Sequence, residues 1–281
     1  MKAVLQLHPT RITDQMLEQR IIPVLKTLGW RWQILPRRHG PDVDVDGDAD
    51  LILVLGGDGT FLAGARLAAK FHIPILGVQV GRVSFLCSVP VDNIAQALKD
   101  VERGVMLLEE RSVLRGRIAA DAAMVQEGIA VNDIVVFRSQ TERIRDFTAY
   151  YGSKLIASYR ADGIILSTAT GSTAYTLAAG GPLVHPTLDL LILTPICAHS
   201  LFTKPLILPP REEVEIVAQR SSYPLDVIFD GATRITLHPG DHLYVRADPD
   251  SLHVYRPSDY DFYSVLRQKF QHGYLYGAED A

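Results

Sequence analysis

Cysteine is scarce in this 281-residue chain, which contains only Cys87 and Cys197 and no CxxC pair. A disulfide framework or a structural zinc site is therefore not expected, and a reducing cytoplasm fits. The 28 Lys and Arg residues are outnumbered by 32 Asp and Glu residues, which gives a net charge of −4. This balance argues against nucleic acid or a membrane surface as the main partner. The apolar stretches are short or interrupted by Gly, Ser, Thr and Pro, so neither a signal peptide nor a membrane span is expected.

Two common phosphate-binding motifs are also missing from the sequence. No Gly-Lys pair occurs anywhere, which excludes a Walker A loop, and no GxGxxG fingerprint is present. If the chain binds a nucleoside triphosphate, a different loop must hold it.

The length corresponds to about two domains of ordinary size. Residues 1–104 alternate between strand and helix patterns, which predicts an α/β domain with a parallel sheet and right-handed crossovers. The predicted strands and helices of this domain are Val4–Leu7, Ile12–Leu28 with a kink at Pro23, Trp30–Leu35, Leu51–Leu55, Phe61–Phe71, Pro74–Val78 and Val91–Arg103.

After Gly104 the pattern changes to many short strands separated by turns. Residues 105–260 are therefore predicted to form a β-rich domain. A closing helix over residues 261–272 is expected to pack back on the first domain. The predicted strands of the second domain are Val105–Ala119, Val125–Arg138, Phe147–Arg160, Ile164–Leu166, Val214–Ala218, Val227–Phe229, Ile235–Leu237, His242–Arg246 and Leu252–Tyr255.

The segment Leu51–Thr60, LILVLGGDGT, is the most informative motif. An unbroken apolar strand, covered on both faces, leads into three glycines around Asp58 and then a helix. Glycines there permit positive φ and a close approach of a ligand to the backbone, and the helix N-terminus favours phosphates. Asp58 could hold Mg²⁺ or accept a proton from an attacking hydroxyl. The alternative is a tight turn in which Asp58 caps the helix.

A second motif lies in a stretch almost free of charge, since Asp189 is the only Asp, Glu, Lys or Arg between Gly163 and Thr203. Within it, Thr168–Tyr175 reads TATGSTAY, which offers small hydrogen-bonding groups and one ring that could stack on a base. Asp162 at its edge could accept from ribose or amide groups. A buried turn packed with small residues is the alternative.

The pair Asn132-Asp133 interrupts an apolar, strand-like run. A buried polar pair needs partners, and an asparagine can read an adenine edge because it offers both a donor and an acceptor. Taken alone, the pair also fits a bulge or an exposed edge strand.

Together these pieces resemble the NAD kinase family, enzymes that phosphorylate the adenosine-ribose 2′-hydroxyl of NAD. The segment Gly56–Thr60 is shared with phosphofructokinases and with lipid kinases, whereas Ala161–Pro182 is more selective for NAD kinases. Pro195–Leu201 and Val265–Phe270 fit later landmarks.

The resemblance implies a Rossmann-like, phosphofructokinase-like parallel sheet in the first domain, a β-sandwich-like second domain and Asp58 as the catalytic proton acceptor. We expect NAD to lie across the cleft between the two domains. It implies a phosphate loop of Gly56, Gly57, Gly59 and Thr60. It also implies the substrate-binding residues Asp58, Gly59, Phe85, Asn132, Asp133, Arg143, Arg160, Asp162, Thr173, Ala174, Tyr175, Thr176, Leu177 and Ala178.

NAD and ATP are the implied substrates, with Mg²⁺ or another divalent cation that the protein alone does not fix, and a homodimer or homotetramer is implied. The chain departs from the family pattern at Ala63, Gln79, Ser84 and Ala232, where a basic residue, Asn, Gly and Gln are usual. The choice between ATP and polyphosphate, acceptance of NADH and inhibition by NADPH stay open. Two other classes stay open as well, a lipid or sugar kinase and a non-catalytic dinucleotide-binding regulator.

Overall fold

The computed structural model describes residues 1–37, 43–120, 123–138, 144–199, 204–219 and 224–275. The chain forms two compact units, residues 1–110 with 252–281, and residues 111–251. In the described ranges no helix combines the length and the apolar character needed to cross a membrane.

Nineteen strands are formed by the described residues. They are Lys2–Leu7 (β1), Arg31–Ile34 (β2), Leu51–Gly56 (β3), Ile75–Gln79 (β4), Val89–Pro90 (β5), Leu107–Arg111 (β6), Leu114–Ala120 (β7), Ala123–Ala130 (β8), Asp133–Arg138 (β9), Arg145–Tyr151 (β10), Lys154–Ala161 (β11), Gly163–Ser167 (β12), Leu191–Ile196 (β13), Leu206–Leu208 (β14), Val214–Gln219 (β15), Leu225–Phe229 (β16), Thr233–Leu237 (β17), His242–Ala247 (β18) and Leu252–Arg256 (β19).

Six α-helices accompany these strands, together with a π-helical turn at Leu17–Ile21 and 3₁₀ turns at Val91–Asn93 and Thr170–Thr173. The α-helices are Asp14–Met16 (α1), Ile22–Thr27 (α2), Asp58–Phe71 (α3), Ile94–Glu102 (α4), Tyr175–Ala178 (α5) and Phe262–Leu275 (α6).

The first unit is built on a sheet with the strand order β2-β1-β3-β4-β19-β6, and β5 also pairs with β4. The pairs β1/β2, β1/β3, β3/β4, β4/β5 and β4/β19 are parallel. Strand β3 is fully buried because it is covered on both faces. Leu51, Leu53 and Leu55 pack in a cluster with residues of α2 and α4, whereas Val54 and Ile52 face Gly64 of α3.

Two local predictions for this unit differ from the structure. The helix expected over residues 12–28 is divided into α1, a π-helical turn and α2, with Pro23 in the first turn of α2. Proline has no backbone N–H to donate and clashes in a helix interior, so the regular ladder changes just before it. The strand at residues 252–255, expected in the second domain, pairs with β4 in the first unit.

The second unit contains two six-stranded antiparallel sheets, β11-β10-β15-β18-β7-β8 and β14-β13-β12-β9-β16-β17. Alternate residues of both sheets form one hydrophobic cluster, so the sheets pack face to face as a sandwich. Strands β13 and β14 were not predicted. The apolar run of β13 lies within the charge-poor segment, from which it was not distinguished, and β14 contains only three residues. The predicted fold class, an α/β region followed by a β-rich sandwich, is confirmed.

Candidate active site

The turn after β3 leads directly into α3. None of Gly56, Gly57 and Gly59 adopts the positive φ that glycine permits. Gly57, with φ −123°, occupies the N-cap of α3, and Asp58 is the first residue of the helix. The interpretation of Asp58 as the helix cap is therefore wrong.

Steric space explains Gly56 better than backbone conformation does. A Cβ on Gly57 or Gly59 would meet no other atom within 4 Å, whereas a Cβ on Gly56 would lie 2.5 Å from the Thr60 hydroxyl. A side chain on Gly56, the last residue of β3, would therefore clash with Thr60 of α3. Gly57 and Gly59 leave an open side at a helix N-terminus, where backbone N–H groups attract anions. This arrangement suits the close approach of phosphate groups.

The carboxylate of Asp58 is held by a short segment that follows β4. Its Oδ1 accepts hydrogen bonds from the Ser84 hydroxyl and from the Leu86 backbone N–H, the latter at 2.9 Å. The Ser84 hydroxyl is buried and itself accepts from the Cys87 N–H at 2.8 Å. The other carboxylate oxygen, Oδ2, lies 3.5 Å from the Lys269 ammonium. The two oxygens of Asp58 therefore have different environments, one fixed by the protein and one beside a partly exposed cation.

The segment that carries Ser84 is anchored by a buried arginine. Arg256 on β19 is 1% exposed, donates to the Leu86 carbonyl at 2.7 Å and pairs with Glu109 at 3.3 Å. Burial, followed by the charge of Asp58, raises the pKa of the neighbouring Cys87 thiol to about 12. The thiol is therefore neutral near pH 7 and is not a nucleophile at this site.

A cavity of about 910 Å³ opens on the second unit, large enough for a dinucleotide-sized ligand. Its lining combines apolar strand residues with acids, arginines and one tyrosine. The lining residues are Asn132, Asp133, Val135, Phe137, Arg138, Ala174, Tyr175, Asp226, Ile228, Asp230, Gly231, Ala232 and Arg234.

Strand alternation explains why these residues share one face. On β9, Ile134 and Val136 enter the core of the sandwich, so Asp133, Val135 and Phe137 point to the opposite face. Strand β9 pairs with both β12 and β16. The interpretation of Asn132-Asp133 as part of an edge strand is therefore wrong. The lining residues from β16 and Arg234 were not predicted, although the same alternation, applied to paired strands, contains them. Arg138, the last residue of β9, does not follow it, because Ile134 and Val136 enter the core.

Two acids lie close together in this cavity. The Asp230 carboxylate accepts backbone N–H bonds from Val131 and Asn132, the shortest at 2.7 Å. Burial, and next the charge of Asp230, raise the pKa of Asp133 to about 7, although the Tyr175 backbone N–H favours the charged form. Asp133 therefore exists as both acid and carboxylate near neutral pH.

This pKa predicts a pH-dependent stability. Between the ordinary Asp pKa near 3.8 and about 7, the folded protein holds a proton on Asp133 that the unfolded chain releases. The free energy of unfolding therefore falls as pH rises through this window, by at most about 1.4 kcal/mol per pH unit from this group. Urea unfolding at pH 5 and pH 8 measures the fall, and Asp133→Asn reduces it. An unchanged pH dependence in Asp133→Asn would contradict the assignment.

The hydroxyl-rich segment 168–178 is divided between core and cavity. Thr168, Ser172 and Thr176 are fully buried, as the packing alternative expected, whereas Tyr175 is 42% exposed and lines the cavity with Ala174. Thr173 donates to the Thr170 carbonyl at 3.3 Å. Thr173, Thr176, Leu177 and Ala178 are not among the residues that line the cavity.

One predicted binding residue has an unused hydrogen-bonding atom. Within the described residues, the buried side-chain oxygen of Asn132 has no hydrogen-bond partner. Buried polar atoms normally have one, so this oxygen is available to a donor on a ligand in the cavity.

The remaining predicted residues have varied positions. Asp162 pairs with Arg138, Nε to Oδ1 at 2.7 Å, at the edge of the cavity. Arg160 is exposed on β11, in the other sheet, and Phe85 is half-buried in the first unit. Arg143 lies outside the described residues. Ser84 and Lys269 contact Asp58. The sequence marks the first only as a departure from the family pattern and the second only within the landmark Val265–Phe270, so neither contact was predicted.

Comparison with known proteins relates both units to one family. The ATP-NAD kinase N-terminal domain family matches residues 15–106, and the ATP-NAD kinase C-terminal domain family matches residues 131–256. The NAD kinase of Thiobacillus denitrificans is 37% identical over 240 residues, which cover 85% of this chain and 81% of that protein. The NAD kinase of Pseudomonas putida is 36% identical over 233 residues, 82% of this chain and 78% of that protein.

Solved structures show the same fold. Yeast NADH kinase, solved with NADH, superposes with a TM-score of 0.82 at 22% identity and covers 100% of this chain and 89% of its own. An NAD kinase from Archaeoglobus fulgidus, solved with ATP, has a TM-score of 0.74 at 25% identity over 96% of this chain and 98% of its own. The chain accordingly belongs to the NAD kinase family, and it is a phosphotransferase.

Proposed function

We propose that the chain transfers the γ-phosphoryl group of ATP to the 2′-hydroxyl of the adenosine ribose of NAD, which gives NADP, with Asp58 as the proton acceptor. The observation that carries this assignment is the environment of Asp58. Its carboxylate does not cap its own helix but is oriented by Ser84 and by the Leu86 N–H. A carboxylate with one oxygen fixed and the other accessible suits a general base.

The reaction follows from this geometry. The ribose 2′-oxygen attacks the γ-phosphorus, its proton moves to Asp58 Oδ2, and the bond to the β–γ bridging oxygen breaks as ADP leaves. Such transfers depend on positioning and on neutralising charge rather than on covalent participation of the protein. The proposed binding site for the triphosphate is the open N-terminus of α3 at Gly57 and Gly59.

The cavity of the second unit is the proposed site for the adenosine of NAD. Tyr175 offers a ring to the base, and the unpartnered oxygen of Asn132 can accept from its amino group. The relatives named as NAD kinases and the neighbours solved with NADH and with ATP support these two substrates. A 910 Å³ cavity also leaves room for the remainder of the dinucleotide.

The site is compatible with a divalent cation that enters with ATP. Mg²⁺ prefers oxygen ligands and usually combines one or two carboxylates with phosphate oxygens and water. Asp58 is the carboxylate available at this site, and the described residues contain no cluster of three or more His, Cys, Asp or Glu that would hold the ion alone. When bound, the cation would neutralise charge on the phosphates.

We also propose a cytosolic homodimer or homotetramer. Neither cysteine is in a disulfide, which fits a reducing compartment. The terminal strand β14 exposes Leu206 and Ile207, 37% and 56% accessible, on a surface that a second copy could cover. Sedimentation equilibrium measures the assembly.

One assay tests the activity. The purified chain is incubated with ATP, Mg²⁺ and NAD, and NADP is measured with an NADP-specific dehydrogenase. Formation of NADP supports the proposal. Binding of NAD without NADP formation would indicate a non-catalytic regulator instead, and phosphorylation of another acceptor in preference to NAD would indicate a different kinase.

Removal of the Tyr175 ring tests the adenosine site. Stacking of a base on an aromatic ring is worth about 1–3 kcal/mol, so Tyr175→Ala is expected to raise the KM for NAD roughly 5- to 150-fold. The turnover number is expected to change less, because the ring contacts the base and takes no part in the bonds that form and break. Steady-state kinetics with NAD as the varied substrate provide both values.

The matched control is Tyr175→Phe, which keeps the ring and removes only the hydroxyl. We expect its KM to stay within a few-fold of the wild-type value. A large fall in kcat with an unchanged KM in Tyr175→Ala would argue against the placement of adenosine.

A further inference from the structure

Helix α6 places a lysine beside the proposed base. The Lys269 ammonium lies 3.5 Å from Asp58 Oδ2 and 5.0 Å from the centre of the Phe85 ring. The two side chains are partly accessible, 30% for Lys269 and 36% for Asp58. A ligand can therefore reach both the cation and the carboxylate.

The fold determines where this lysine lies. Asp261 accepts hydrogen bonds from the Tyr263 and Ser264 N–H groups at the start of α6. Phe262 is buried, with its ring 6.5 Å from the Phe85 ring. Seven residues, close to two helical turns, separate Phe262 from Lys269, so both project from the same face of α6. The contacts of Phe262 thus direct Lys269 towards Asp58.

A stabilising ion pair alone is a weak explanation for this arrangement. A pair as accessible as Lys269–Asp58 contributes little to stability. Asp58 is already oriented through Oδ1, so its orientation does not require the lysine. The ammonium instead occupies the side of the carboxylate that the attacking hydroxyl must approach.

The chemistry of the reaction requires a positive charge at this point. Negative charge on the oxygens of the γ-phosphoryl group must be stabilised during transfer. The phosphate loop Gly56–Thr60 contains no basic residue, and Ala63 in the next turn of α3 is uncharged. Lys269 supplies a cation next to the base from a distant part of the sequence.

We propose that Lys269 is a catalytic residue that stabilises the γ-phosphoryl group during its transfer at Asp58. When the phosphates are bound, the ammonium donates hydrogen bonds to a non-bridging γ-oxygen and keeps its protons, while the ribose proton goes to Asp58. Without phosphates it pairs with Asp58, as the structure shows. This inference rests on the proposed function and adds a residue to that reaction.

The test compares three variants for kcat, for KM with each substrate and for thermal stability. Lys269→Met keeps the length of the side chain without its charge and is expected to lower kcat by about 10²- to 10³-fold, the usual cost of losing one group that stabilises developing charge. Lys269→Arg is expected to retain more activity than Lys269→Met. The matched control, Arg267→Met, removes a positive charge from the same helix at a 65% exposed position and is expected to behave as the wild type.

Ethylammonium provides a readout that a structural role would not affect. Saturable recovery of the activity of Lys269→Ala by added ethylammonium supports the proposal, and its absence overturns it. The proposal is also overturned if Lys269→Met keeps kcat within three-fold of the wild type, or if Arg267→Met loses as much activity. Near-normal turnover in Asp58→Asn would instead overturn the proposed base, whatever Lys269 does.

Discussion

Replacing Asp58 by asparagine is expected to lower kcat for NADP formation by at least about 10²-fold, within the 10²- to 10⁴-fold range typical of a general base. The amide keeps the shape of the side chain, and its oxygen can still accept from Ser84 and from the Leu86 N–H. The protein therefore folds, but the ribose proton no longer has an acceptor. Steady-state kinetics and thermal melting of the same preparation separate activity from stability.

Asp92→Asn is the matched control for this experiment. Asp92 belongs to the same unit, is 77% exposed and pairs with Arg20 at the surface. We expect wild-type turnover from this variant. Near-normal turnover in Asp58→Asn would remove Asp58 from the role of proton acceptor.

The second large effect concerns Gly171, in the turn that leads to Tyr175. A Cβ at this position would lie 2.1 Å from the Asn132 carbonyl oxygen and 2.6 Å from the Ser167 hydroxyl. The turn must shift to admit it, and we expect Gly171→Ala to lower the free energy of unfolding by about 3 kcal/mol. The melting temperature should fall by roughly 6–12 °C. Differential scanning calorimetry measures the change.

Gly47→Ala is the control for the glycine substitution. A Cβ on Gly47 would meet no atom within 4 Å, and its φ is not positive, so the melting temperature should stay close to that of the wild type. If the melting temperature of Gly171→Ala equalled that of the wild type, the close packing of this turn on Asn132 would be refuted.

The sequence predicted the strands and helices whose formation depends mainly on neighbouring residues. Five consecutive apolar residues at Leu51–Leu55 indicate a strand covered on both faces, and β3 has that environment. The many short strands indicated a β-rich second domain, and the family resemblance implied that it is a sandwich. Strand β19 was assigned to the wrong unit because its own pattern does not encode its partner. Its pairing with β4 joins residues far apart in the chain.

The residues of the candidate site divide in the same way. Some are indicated by their neighbours in the sequence, and others are brought to the site only by the fold. Asp58 stood out because glycines and a buried strand surround it in the sequence. Ser84 and Lys269 carry no comparable local signal of a site, since the sequence marks Ser84 only as a departure from the family pattern and Lys269 only as part of the landmark Val265–Phe270. Only their contacts with the two oxygens of Asp58 distinguish them.

The return of β19 to the first sheet has a consequence for synthesis of the chain on the ribosome. Residues 111–251 are all synthesised before β19, with its Arg256, and Lys269. The unit that contains Asp58 begins first but is completed last, reversing the usual order of domain completion. A nascent chain that stops before residue 252 therefore lacks the arginine that anchors Leu86 and the cation beside the base. Prematurely terminated chains are consequently expected to be inactive even when their second unit has folded.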